Sequence, residues 1–73
     1  MADLTQVRIA KEHIRRHFGH LPEVIGIGIT RRDEGYCVKI NLSRVTPATR
    51  SIPRLCQGVP TVIDEIGEIV AQA

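Results

Sequence analysis

The feature that most constrains this chain is the run Val24-Ile25-Gly26-Ile27-Gly28-Ile29-Thr30. Isoleucine and glycine alternate through it, and β-branched residues at alternate positions favour an extended strand over a helix. Strict alternation places Ile25, Ile27 and Ile29 on one face and Gly26 and Gly28 on the other. Glycine weakens a strand, so two on one face call for a reason, such as a helix or another backbone lying close over them. A dinucleotide-binding loop is set aside. Its fingerprint needs a third glycine three residues after Gly28 and a helix opening there, whereas that position is Arg31 and a turn follows.

The chain on either side of this strand is short. Seventy-three residues make one domain, 1–73, and a chain of this size buries only about 60% of its extended surface. One Phe, one Tyr and no Trp leave Ile, Val and Leu to build the core. A single aliphatic layer of this kind leaves sheet edges open, so the expectation is self-association, as a homodimer or larger.

Residues 4–18 read as a helix. Leu4, Val7, Ala10, Ile14 and Phe18 form one apolar stripe, and Arg8, Glu12, Arg15 and Arg16 form the wet face. Asp3 and Gln6 have the spacing of a capping box, with Thr5 as the rival cap. Gly19 is expected to stop the helix in a left-handed conformation, and Pro22 prevents a restart.

After the first strand, Arg31 to Gly35 form a charged turn, with Gly35 suited to positive φ. Residues 36–42 form a second, antiparallel strand. Tyr36, Val38, Ile40 and Leu42 face one way, and Cys37, Lys39 and Asn41 face the other. Residues 43–58 make a long connection, either a surface strap pinned by Ile52 and Leu55 or a stiff basic arm that binds an anion, nucleic acid or a partner. Residues 59–70 make the third strand, with a bend or bulge expected from the break in alternation near Asp64-Glu65 together with Gly67, and edge-protecting charge at Asp64, Glu65 and Glu68. The fold class is α+β, an N-terminal helix packed on a three-stranded, mainly antiparallel sheet in the order αβββ. The third strand can lie beside either of the others.

Chemistry is sparse. Net charge is +2, too little to imply nucleic acid by itself. Its distribution offers Lys39, Arg44, Arg50 and Arg54 as anion-binding candidates in a segment without acids, followed by an acidic segment that can pair with it. No aromatic lies among the arginines to stack on bases. His13 and His17 are one helical turn apart and His20 follows, a weak metal-ligand set with no carboxylate at ligand spacing. Cys37 and Cys56 form no CxxC motif, and a thiolate–histidine enzyme built from either is set against a small structural role for Cys37 on the more polar face. Gly26, Gly28 and Gly67 read as structural. No secretory or membrane-spanning apolar run is present, so the expected setting is the cytoplasm, with no membrane partner, no cofactor and no catalytic residue.

The order "PEVIGIGIT", charged turn, "GYCVKINL", a connection containing "IP", then "GVPTVIDEIGEI" resembles a segment that precedes the catalytic domain of some bacterial trypsin-like serine peptidases. The resemblance spans residues 22–69, and Gly26, Gly28, Gly58, Pro60 and Gly67 match as backbone positions. It implies a free-standing bacterial accessory module and gives that module no role; protein–protein interaction is the expectation from the thin core and open sheet edges. The peptidase nucleophile, histidine and aspartate belong to the following domain of those proteins, so no catalytic residue carries over.

Overall fold

The computed structural model describes residues 3–32 and 35–66. The elements run α1 (Leu4–Phe18), β1 (Val24–Arg32), β2 (Gly35–Leu42), a 3-10 turn (Thr49–Ser51), β3 (Leu55–Cys56) and β4 (Val59–Glu65). The class is α+β, as the sequence implies, but the sheet has four strands and is mixed, in the order β1-β2-β4-β3. β1 and β2 are antiparallel, β2 and β4 parallel, and β3 and β4 antiparallel.

Helix α1 begins at a complete capping box. Gln6 donates its backbone N–H to Asp3 Oδ1 at 2.8 Å, and Asp3 donates its own to Gln6 Oε1 at 2.9 Å. Asp3 rather than Thr5 is therefore the cap. At the other end the left-handed stop does not form. Gly19 has φ −64° and ψ −17°, and its N–H closes one more turn onto the Arg15 carbonyl. The glycine is used instead for close approach, since a Cβ there would sit 2.5 Å from that carbonyl oxygen. On the wet face Arg15 and Arg16 both reach Glu12.

The stripe of α1 lies over the middle of the sheet. Val7, Ala10 and Ile14 are fully buried against Val38, Ile40 and Leu42 of β2, with Ile52, Cys56 and Val59 completing the core. Val24, Ile27, Ile29 and Phe18 are half-buried at its margin. β2 is buried because it has strands on both sides and the helix above.

Four local expectations change. Ile25 does not join Ile27 and Ile29. The register shifts between Val24 and Gly26, so Val24 pairs with Leu42 and Gly26 with Asn41, and Ile25 is left at the irregularity, 44% exposed. A bulge restores the face pattern by inserting one residue, which strict alternation cannot represent. Leu55 does not pin the connection; it is 63% exposed while Cys56 is buried, because the two successive residues of β3 point to opposite sides. The connection also holds a hairpin absent from the expected three strands. Gln57 (φ 51°) and Gly58 (φ 80°) form a two-residue turn of the kind that joins antiparallel strands, so β3 folds onto the start of β4. Gly35 takes positive φ as expected. The break in alternation at Asp64-Glu65 makes no bulge, since β4 stays in regular register with β2 through Glu65; Gly67 and Glu68 lie outside the described residues.

The capping assignment is testable by urea unfolding. Asp3→Ala should lower stability by about 1 kcal/mol, and Thr5→Ala should change it by no more than a few tenths.

Candidate functional site

Polar chemistry concentrates where β1 begins and β2 ends. Glu23 precedes β1 and is only 7% exposed. The Thr46 hydroxyl donates to its carboxylate, and its backbone carbonyl accepts from the Ser43 N–H at 2.9 Å. Thr49, 1% exposed, closes a turn with Thr46: the Thr46 N–H donates to Thr49 Oγ1 at 2.8 Å, and that hydroxyl donates to the Thr46 carbonyl at 2.9 Å. Nearby, Glu65 accepts the Val45 N–H at 2.9 Å, and the Ile66 N–H donates to the Leu42 carbonyl. Two carboxylates, one from each side of the sheet's end, thus hold the start of the 43–58 connection. A half-open cleft of about 290 Å³ lies beside them, lined by Pro22, Glu23, Ser43 and Arg44.

The hydrogen bond from Thr46, then the Glu23 backbone and the nearby Arg44 charge, together hold the Glu23 carboxyl below its ordinary value of 4.5. Burial opposes them. Glu23 therefore acts as an ionised latch on the connection, a structural duty.

The basic residues singled out in the sequence are placed on different elements. Lys39 lies on the sheet face away from α1, with its Nζ 3.6 Å from Asp64 on the neighbouring strand. Arg44 borders the cleft, Arg50 is on the 3-10 turn, and Arg54 precedes β3, all three exposed. The Lys39–Asp64 pair joins the basic and acidic segments within one chain. No element gathers the four into one cradle.

The histidines separate. His13 and His17 have ring centroids 4.2 Å apart, and His17 Nδ1 is 2.9 Å from the His13 carbonyl, so that nitrogen carries the proton. His20 lies past the helix end. Among the described residues no three His, Cys, Asp or Glu side chains group as metal ligands.

Cys37 and Cys56 are free, and each is 5% exposed. Cys56 Sγ lies 4.0 Å from the Ala10 carbonyl under the helix, and desolvation raises its pKa above 9.0. A thiol in that setting is held protonated, the opposite of what a nucleophile needs.

The glycine face is open. A Cβ on Gly28 would meet nothing within 4 Å, and one on Gly26 only the Asn41 side chain, nearest at 3.5 Å. The expected close cover over that face is thus absent among the described residues. The helix packs on the opposite face, where Ile27 and Ile29 lie. Asn41 Oδ1, beside Gly26, and Thr61 Oγ1, on the core side, are enclosed without a hydrogen-bond partner. The sequence reading missed the Glu23–Thr46–Thr49 node. The available signal was Thr46-Pro47 followed by Thr49, a pattern that favours a side-chain-closed turn.

No family model matches the chain, and neither does any curated protein or any solved structure. No helix among the described residues is long and apolar enough to cross a membrane.

Two outcomes are expected. Because the folded Glu23 carboxyl is more acidic than the unfolded one, its contribution to stability is full above the ordinary value of 4.5. That contribution is lost as pH falls through the lowered folded value. Thr46→Val should therefore flatten the loss of stability on the acid side, read from urea midpoints across that range. Iodoacetamide at neutral pH should leave Cys56 unlabelled in the folded chain and label both thiols in urea, read by mass spectrometry.

Proposed function

We propose that this chain is a non-enzymatic assembly module that joins further copies of itself through its sheet. The observation that carries the reading is the end of the sheet. β1 is nine residues long, and among the described residues its outer side has no strand partner. An unpaired strand of that length is a template for another strand, and proteins normally shorten, bulge, charge or cover such an edge.

Thinness supports the reading. The principal extents are 42 × 25 × 15 Å, the last being little more than one helix layer on one sheet. Ile27 and Ile29 face the core yet stay half-buried, because the aliphatic layer stops at β1. The chemistry-bearing side chains support it from another direction: both cysteines are buried, and Glu23 is engaged in holding the connection. We place the module in the cytoplasm, where free thiols such as Cys37 and Cys56 persist. Contacts with another protein would use the same edge.

Light scattering coupled to gel filtration at micromolar concentration tests this. The expected mass is twice that of the chain or more. A mass of one chain across that range overturns the reading.

A further inference from the structure

Building on that reading, we infer that the occupant of the β1 edge is the β1 strand of a second copy, antiparallel, about a two-fold axis through Gly28. Four observations lead there.

The first is the choice of edge. β3 is two residues long and covers only the start of β4. The rest of β4's outer side runs over Val62, Ile63, Asp64 and Glu65, and its two carboxylates blunt it. β1 carries no charge from Val24 to Thr30.

The second is the choice of edge over face. The face away from α1 presents the Lys39–Asp64 ion pair, Asn41 and Thr30. Burying an ion pair is often no gain, whereas strand addition satisfies backbone groups and leaves that pair in water.

The third is register. Directly opposed residues in an antiparallel pair share a face, so an axis perpendicular to the sheet must pass through one residue. An axis at Gly28 keeps the uncharged stretch from Gly26 to Thr30 in regular register and leaves the irregular Ile25 outside it. It sets Ile27 opposite the partner's Ile29, Ile29 opposite the partner's Ile27, and Gly26 opposite the partner's Thr30. The half-buried isoleucine pair then extends the core layer across the junction. An axis at Ile27 would rely on Ile25, which the register shift removes from the ladder. An axis at Ile29 would bring Arg31 opposite the partner's Ile27.

The fourth is charge at the ends. With the axis at Gly28, Arg31 and Arg32 of the two copies lie at opposite ends of the new pair, and Arg31 keeps its place over the Tyr36 ring, 5.9 Å from the centroid. Like charges are thereby held apart.

The test is a cysteine at the axis. Opposed Cα atoms in such a ladder are about 4.5–5.5 Å apart, within the roughly 4.4–6.8 Å that a disulfide spans. A side chain at position 28 meets nothing within 4 Å, so Gly28→Cys is accommodated. Mild oxidation of folded Gly28→Cys should shift the chain to a dimer band on a non-reducing gel. The unaltered chain, with both thiols buried, supplies the blank. Thr30→Cys, always made together with Cys37→Ser because positions 30 and 37 pair within one chain, should not cross-link to itself, since the two positions would be offset by about 14 Å along the strands. Circular dichroism of α1 checks that each variant folds. Should Gly28→Cys fail to fold, a mixture of Gly26→Cys and Thr30→Cys chains should cross-link only with each other. If scattering shows a dimer but folded Gly28→Cys stays monomeric on the gel, or Thr30→Cys cross-links equally well, this pairing is overturned while self-association stands. A single-chain mass in scattering removes both.

Discussion

The structure depends on the contact between the apolar stripe of α1 and the centre of β2. Val7, Ala10 and Ile14 meet Val38, Ile40 and Leu42, and all six are buried to within a per cent or so. Removing a fully buried aliphatic side chain at such a site typically costs about 2–5 kcal/mol, a large part of what a domain this small has in total. Every other element is placed by reference to that contact. β1 is held beside β2 by a short hairpin, β4 is laid on its other side, and the 43–58 connection closes over the end.

The parallel pairing of β2 with β4 is the least expected part of the architecture. Antiparallel neighbours can be joined by two residues, but a parallel pair needs a dozen or more for the return. Residues 43–58 supply them, and they are not idle. Glu23 and Glu65 anchor the first half, Thr46 and Thr49 turn it, Ile52 enters the core, and the Gln57–Gly58 hairpin reverses the chain into β4. The loop's length, which in isolation suggests a binding arm, is accounted for by this crossover.

Much of this was legible in the sequence, for local reasons. Helix α1 follows from a five-residue apolar stripe and a cap at the right spacing, and it spans Leu4–Phe18 as read. The antiparallel β1–β2 pair follows from alternation in both strands, which extend to Arg32 and from Gly35, into the segment read as a turn. What was not legible depends on contacts distant in sequence. The bulge at Ile25 shows only against Leu42 and Asn41, and the inward turn of Cys56 in place of Leu55 only against Val59. The Glu23–Thr46 hydrogen bond spans twenty-three positions. Lys39, Arg44, Arg50 and Arg54 look like a set in one dimension because they are close in sequence. Folding puts them on a sheet face, a cleft rim, a 3-10 turn and a loop.

The same topology explains why the sheet ends as it does. Once β4 takes the far side of β2, β1 becomes terminal, and no element among the described residues lies beyond it. A free strand is usually protected by shortness, by charge or by a bulge. Here β3 is short and the exposed part of β4 carries carboxylates, whereas β1 is long, and its bulge lies at one end rather than in the middle. Its central residues are Gly26, Ile27, Gly28 and Ile29, with no charge among them. Glycine in this position adds nothing to the packing of the single chain, since a Cβ on Gly28 would touch nothing. Among the described residues β1 is the longer and less protected edge, with two residues that weaken an isolated strand, and the proposed pairing with another chain would complete it.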